Sequence, residues 1–354
     1  MAFPPTRSEE RNTFLGAVME EVRDMEAEDI ITPKHPLFKR MEKNGTIEDR
    51  ARGRGPTEDV LYATPDRSTK ISLSQDMKSR DRRTTEGYTR AKYDYIMRLD
   101  HLTIPLVEYL NAQGPLAVID IVKRKKAQVN KNYRNKLVDV VWNGDVNGSE
   151  TVFGITDFVQ TDTSSNPSDG NVGGIDQTIA TDWKNSARDF NAAYKTVASG
   201  IAATTLPTQS GTSMLRLFED CSSLDKGDMD EGRPDLMPCN FEFFQRFTDL
   251  VDLRIVFHNK VDDIDLGVEG IQYRGATIFF DASVPDEASG EGVCYFLNTN
   301  SFSLVFAEGL REVWSDVMDL EAVTAVGWEQ MTQYSMTIRN RKQNGVIHGV
   351  KVAA

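Results

Sequence analysis

Two short acidic runs are the stretches of this chain whose residue types come nearest to metal chemistry. Asp228-Met229-Asp230-Glu231-Gly232 and Asp263-Ile264-Asp265-Leu266-Gly267 each place carboxylates two residues apart ahead of a glycine, as a calcium loop begins. Neither reaches the bidentate Glu that closes such a loop at its twelfth position, so both read as solvated acidic turns. Asp228, Asp230, Asp263 and Asp265 are also the ligands that an acidic metal-dependent hydrolase would use, the catalytic alternative for this sequence. His35, His101, His258 and His348 stand far apart, with no pair at ligand spacing. The chain has no GxxxxGK[ST] loop, no GxGxxG after a strand, no HExxH, no CxxC and no GxSxG elbow. The expectation is a protein without catalytic residues, metal or cofactor.

A second kind of chemistry, binding of a polyanion, is carried by one stretch. From Pro115 to Trp142, Ile119, Val122, Val129, Tyr133, Leu137, Val140 and Val141 recur at three, four and seven, the period of one helix face. Proline suits the first turn, and Asn143-Gly144 supplies the left-handed residue that stops a helix. Such a helix would span roughly 40 Å. Lys123, Arg124, Lys125, Lys126, Lys131, Arg134 and Lys136 stand against Asp120 and Asp139, a local charge of +5 in a chain of −13. Lys123, Arg124, Lys125 and Lys126 are therefore the candidates to face nucleic acid. No aromatics interleave with them to stack on bases, so any contact would be to phosphates and independent of sequence.

The rest of the chain has to position that helix. With 354 residues, 39% hydrophobic and 27% charged, it has the composition of an ordinary globular protein, of about two domains' length. No apolar run approaches the ~20 residues of a bilayer crossing, and the N-terminus lacks the order of a signal peptide. Cys221, Cys239 and Cys294 are odd in number and widely spaced, which predicts reduced thiols and no disulfide framework. Charge is segregated: residues 143 to 320 hold 30 acidic and 11 basic residues, a net of −19, and the two flanks together come to +6. One face is thus expected to be acidic and solvated, another tolerant of polyanions.

In chain order, Ser8 to Asp29 sets Phe14, Val18, Val22 and Met25 on one helical stripe. The segment from Ile31 to Pro56, with its X-Pro breaks and glycines, reads as an extended arm that does not pack by itself. Ile71 and Leu73 mark a weak strand. Tyr93, Tyr95, Met97 and Leu99 alternate with Asp94, Arg98 and Asp100 as the buried side of a stronger one, and a charged tip between them predicts a long hairpin. The stretch 157–174 reads as surface loop and Gly211–Leu224 as helix. Asn240–Leu250 reads as a helix with Phe241, Phe244 and Phe247 aligned. Strands are expected at Val251–Phe257, Ala276–Phe280, Gly292–Leu297 and around Tyr334, Met336 and Ile338. Asn344-Gly345 reads as a tight hairpin turn, and the whole as an α+β chain.

In this order of parts the chain resembles the tailed-phage major capsid protein family, the HK97-like fold. The resemblance rests on VVWNGD followed by FGITDFV, on GGIDQTIATDW, YRGATIFFD and CYFLNTNSFSLVF, and on the ending TIRNRKQNGVIHGV. It implies an N-terminal arm at 1–56, an extended E-loop hairpin at 57–105, a P-domain with a long spine helix at 106–154, an A-domain at 155–300, and a return to the P-domain at 301–354. The function it implies is self-assembly through pentamers and hexamers into an icosahedral head around double-stranded DNA. The partners would be scaffold and portal proteins and a possible decoration protein, with no membrane. The protein would be made in the bacterial host cytoplasm and end in the virion. Lys70, Lys78, Arg80, Arg82 and Arg83 of the E-loop would meet carboxylates of a neighbouring subunit. Lys70 or Lys78 with Asn340 or Asn344 are residue types that some relatives cross-link, but no assisting carboxylate can be placed and none is expected. Fewer than 60 residues precede the hairpin, which favours a retained arm and a separate scaffold. An encapsulin-like compartment is the alternative with the same fold.

Overall fold

The computed structural model describes residues 17–18, 35–51, 55–61, 88–105, 107–108, 115–147, 150–168, 170–180, 183–189, 232–250, 270–273, 275–285, 291–320 and 325–350. Among the described residues the bounded α-helices are α1 (Pro36–Lys43), α2 (Pro115–Asn143), α3 (Ile155–Phe158) and α4 (Phe241–Leu250). The strands up to the long loop region are β1 (Ile47–Arg50), β2 (Thr57–Leu61), β3 (Tyr88–Lys92), β4 (Ile96–Pro105), β5 (Asp145–Asn147), β6 (Glu150–Val152) and β7 (Ser186–Asp189). After it come β8 (Leu236–Cys239), β9 (Gly270–Tyr273), β10 (Ala276–Phe280), β11 (Gly292–Phe296), β12 (Phe302–Ala307), β13 (Val313–Trp314), β14 (Met318–Leu320), β15 (Ala325–Ile338) and β16 (Gly345–Val350). Expected elements at Ser8–Asp29 (save residues 17 and 18), Ile71 and Leu73, Gly211–Leu224 and Val251–Phe257 lie outside the described residues.

The 14-residue strand β15 is the axis of the first sheet. Tyr334 pairs with Ile96 on one edge and Phe306 on the other, so β4 runs along one side of β15 while β14, β13 and β12 share the opposite side. Strand β1 adds in parallel outside β12. A second, mixed sheet has the order β7-β16-β11-β8-β10-β9. One apolar cluster joins the two sheets to the C-terminal half of α2, through Tyr133, Leu137, Trp142, Tyr295, Leu304, Phe306, Met336 and Val346 among others. A separate cluster seats the N-terminal half of α2, with Val118, Ile121, Val122 and Val129 against Leu102, Ile104, Val326 and Trp328.

The expected helix is present, 29 residues long, and its apolar stripe is buried apart from the half-exposed Ile119. It ends where Gly144 takes φ +75°, and a Cβ there would press on the Val152 carbonyl, so only glycine fits this stop.

Four expectations are corrected. From His35 on, the supposed arm belongs to the body: Pro36 opens α1 at a position where its missing N–H costs nothing, and Leu37, Phe38 and Met41 enter the main core. The alternation through Tyr93 to Leu99 changes face, because residues 93–95 lie between β3 and β4 and outside both strands. Tyr93 and Tyr95 are buried, Met97 and Leu99 are 46% and 44% exposed, and Arg98 and Asp100 face inward. In α4 the inward side chains are Phe243 and Phe247, one turn apart, with Phe244 partly buried against the same cluster, and of the three expected only Phe241 is exposed. Asn344 is extended and Gly345 opens β16, which pairs with β11 and β7 rather than with β15. The chain thus crosses from one sheet to the other here, through a 3-10 turn at Arg341–Gln343 capped by the Asn340 side chain.

That crossing is organised by Arg341, which is fully buried. Its Nε donates to the Phe158 carbonyl at 2.8 Å, Nη1 to Gln177 Oε1 at 2.8 Å and to the Trp183 carbonyl at 3.3 Å, and Nη2 to the Asp157 carbonyl at 3.1 Å. The stretch 157–174, expected as a surface loop, is therefore tied down at both ends, with Phe158, Val159 and Val172 buried. Burial lowers the Arg341 pKa to about 10, against the opposing pull of Tyr93 and Asp157, so the guanidinium stays charged near neutral pH. Arg341→Met is expected to cost on the order of 3–5 kcal/mol, since it strands several buried acceptors at once. Arg341→Lys should recover only part of the loss, because an ammonium lacks the planar fork. Urea unfolding of the two variants beside the parent chain checks both.

Candidate functional site

The basic run on α2 does not form one surface. Lys123 is half-buried at the rim, while Arg124 is exposed and donates back to the Asp120 carbonyl at 3.3 Å. Lys125 pairs with Glu108 at 3.4 Å. Lys126 is only 6% exposed, which corrects its placement on the polar face. The reason is its register: it follows Val122 by four and precedes Val129 and Tyr133 by three and seven, so it belongs to the buried stripe. That spacing was readable in the sequence, and the charge run concealed it. Lys131 and Lys136 are exposed, the latter 3.8 Å from Asp139. The surface left for a polyanion is therefore Lys123, Arg124 and Lys131, with Lys125 partly neutralised on the other flank.

The root of the hairpin is held by its own chain. Strands β2 and β3 pair from Thr57↔Lys92 to Leu61↔Tyr88. Within β2, Glu58, almost fully buried, accepts from Arg50 at 2.7 Å, from Arg339 at 3.3 Å and from Thr337 at 3.3 Å, and Glu48 accepts from the same two arginines. Burial acts against the Arg50 charge, yet its hydrogen bonds to Glu58 and Glu48 prevail and hold its pKa above the ordinary value. The Tyr93 hydroxyl donates to the Ile338 carbonyl at 2.9 Å, and a Cβ at Gly55 would collide with the Tyr93 carbonyl. The hairpin thus starts from a rigid base joined to β1 and β15. The basic candidates Lys70, Lys78, Arg80, Arg82 and Arg83 lie outside the described residues.

A second set of polar anchors fixes the N-terminal segment. Asp235 accepts from Arg40 at 2.8 Å and from the Thr299 amide and hydroxyl at 2.8 and 2.5 Å. His35 Nε2 lies 3.0 Å from Asp281. Burial disfavours the Asp281 carboxylate, but the hydrogen bond and charge of His35 and the Ser283 amide outweigh it, leaving the carboxyl below its usual pKa. The extended backbone of Asn344 hides a fully buried side chain, which donates to Ser301 Oγ at 2.9 Å and accepts from the Asn298 amide at 2.8 Å. Asn344 is thus occupied as a structural residue.

On the side of the first sheet away from α2, Leu99, Met331 and Val313 are cross-strand neighbours in one row, with Met97 beside them and His101–Glu329 at 3.2 Å next in line. Among the described residues no three or more His, Cys, Asp or Glu side chains converge as a metal site. Asp228, Asp230, Asp263 and Asp265 lie outside them. No described helix is long and apolar enough to cross a membrane.

No protein-family model matches the sequence, and no curated protein matches it. Solved structures do. The capsid asymmetric unit of cyanophage A-1(L) aligns over 92% of this chain and 95% of its own, at 14% identity and a TM-score of 0.56. The capsid of an empty GTA particle aligns over 92% of each chain, at 10% identity and a TM-score of 0.53. The holo-SrpI encapsulin of Synechococcus elongatus covers 76% of this chain at 9% identity and a TM-score of 0.42, too low to bear on the question. The chain has the α+β, HK97-like fold of tailed-phage capsid proteins.

Lys126→Glu should destabilise the chain by about 2–4 kcal/mol, because it reverses a charge in the interior, whereas Arg124→Glu should stay within about 0.5 kcal/mol. Thermal unfolding of the two variants separates a buried lysine from a surface arginine. Asp281 supplies a pH test. A carboxyl with its folded pKa below the unfolded value of about 3.9 contributes stability above that value and loses it as pH falls through the folded one. Asp281→Asn should accordingly lower the urea midpoint at pH 5, and the gap from the parent chain should narrow below about pH 4.

Proposed function

We propose that this chain is a major capsid protein that assembles with itself into the icosahedral head of a tailed bacteriophage enclosing double-stranded DNA. The observation that carries the reading is the likeness to two capsid subunits over more than nine-tenths of the chain. Residues 57–105 serve in this reading as the E-loop, 106–154 as the P-domain with α2 as its spine, 155–300 as the A-domain and 301–354 as the return to the P-domain. The part is structural, with no catalytic step, and its place is the virion.

The geometry gives this reading a physical form. A two-stranded hairpin is marginal alone, and here its root is anchored by the buried Glu58 while its tip carries Lys70, Lys78, Arg80, Arg82 and Arg83. Those cations meet carboxylates of the next subunit in a pentamer or hexamer. Exposed pairs contribute only ~0–1 kcal/mol each, so the shell is held by many repeated contacts rather than by any one. Lys123, Arg124 and Lys131 are the cations of α2 left to meet DNA phosphates, without sequence preference. Scaffold and portal proteins, and a decoration protein on the acidic surface, are the further partners this reading calls for.

Sedimentation velocity of the expressed chain tests the proposal together with a variant in which Lys78, Arg80, Arg82 and Arg83 are glutamine. The parent should sediment as particles of many subunits and the variant as small oligomers with an unchanged thermal midpoint. A parent that stays monomeric across concentration and salt would count against the reading.

A further inference from the structure

Two of the three cysteines, far apart in sequence, meet across neighbouring strands. Cys239 of β8 is the register partner of Cys294 in β11. The backbone bonds fix the kind of pair this is. Leu236 and Leu297 exchange both amide bonds, at 3.2 and 2.9 Å, and the Asn240 amide donates to the Val293 carbonyl at 3.1 Å. Positions 236/297 and 240/293 are therefore hydrogen-bonded pairs, and 239/294, offset by an odd number of residues, is a non-hydrogen-bonded pair. Such pairs hold their Cα atoms about 4.5 Å apart with both side chains on one face, within the ~4.4–6.8 Å that a disulfide spans. Both thiols enter one apolar cluster with Met237, Phe243, Phe247 and Ile278. Each is now free, with Cys239 Sγ donating to the Phe279 carbonyl at 3.2 Å and Cys294 Sγ lying 3.9 Å from the Tyr295 carbonyl.

We propose that Cys239 and Cys294 are a redox modification site, joined as a cross-strand disulfide when the chain folds in the presence of a small-molecule disulfide such as oxidised glutathione. The first cysteine, as its thiolate, attacks one sulfur of that reagent and releases one glutathione thiolate. The second cysteine's thiolate then attacks the protein sulfur of the mixed disulfide and releases the other. The protein loses two electrons and two protons, and two glutathione thiols carry them away. Burial pushes the Cys294 thiol pKa up, and the neighbouring Cys239 adds to the rise, so the closed sheet is unreactive. Exchange takes place while β8 and β11 meet and before α4 covers them. The bond would tie the middle of the second sheet across the excursion 240–293, which carries α4, β9 and β10. The proposal stands on the strand register and is independent of any shell.

The test refolds the full chain from guanidinium with a mixture of reduced and oxidised glutathione, and in parallel with reduced glutathione alone. N-ethylmaleimide blocking and a non-reducing peptide map follow. The expected result is a peptide joining Cys239 to Cys294 in the oxidised sample only, with a thermal midpoint several degrees above the reduced form. Cys294→Ser should lose that peptide and Cys221→Ser should keep it, and the second result stands if Cys294→Ser does not fold. A map in which Cys239 and Cys294 carry maleimide or separate glutathiones after oxidative refolding, or in which either bridges to Cys221, would overturn the proposal.

Discussion

The structure depends on one buried cation. Arg341 stands where the chain leaves the first sheet for the second, and its guanidinium reaches α3, Gln177 and the Trp183 carbonyl together. A guanidinium presents five donors in a planar fork, and backbone carbonyls can satisfy that fork without a carboxylate. Charge burial is costly, and here the cost is offset by acceptors that would otherwise lie unpaired in the interior. The effect is to fasten α3 and the segment from Gln177 to Trp183 to the chain just past the end of β15.

The same device recurs with opposite sign. Glu58 is a buried anion between Arg50 and Arg339 at the hairpin root, and Asp235 is a shielded anion between Arg40 and Thr299 at the N-terminal segment. Each ties one segment to another distant in sequence, β2 to β1 and β15 in the first case and α1 to the start of β8 in the second. Under the proposed function, anchored roots set the direction in which the hairpin leaves.

Much of this was legible in the sequence. The stripe from Val122 to Val141 announced α2, and Gly144 announced its end, because helix period and left-handed stops are local properties. Ala276–Phe280 and Gly292–Leu297 were readable as strands, the second ending one residue earlier, at Phe296. What failed was parity and partnership. Three residues between β3 and β4 reversed the face of Met97 and Leu99, and no local pattern registers such an offset. Asn344-Gly345 carries the residues of a hairpin turn, yet the turn is placed at Arg341–Gln343 by contacts with residues more than 150 positions away. Lys126 was misjudged because charge was read before register. Arg341 gave no sequence signal beyond an arginine near a strand end. The candidate site itself was half visible: its cations could be named and the spacing of Lys126 places it on the buried stripe, but the pairing of Lys125 with Glu108 has no local signal.

The central claim is that this chain is a shell subunit, and electron microscopy of the unmodified chain tests it most directly. The account predicts closed, uniform, thin-walled particles whose reconstruction places residues 57–105 of one subunit across the next. Fields of small, separate molecules under every condition, or particles in which that hairpin touches only its own chain, would contradict it.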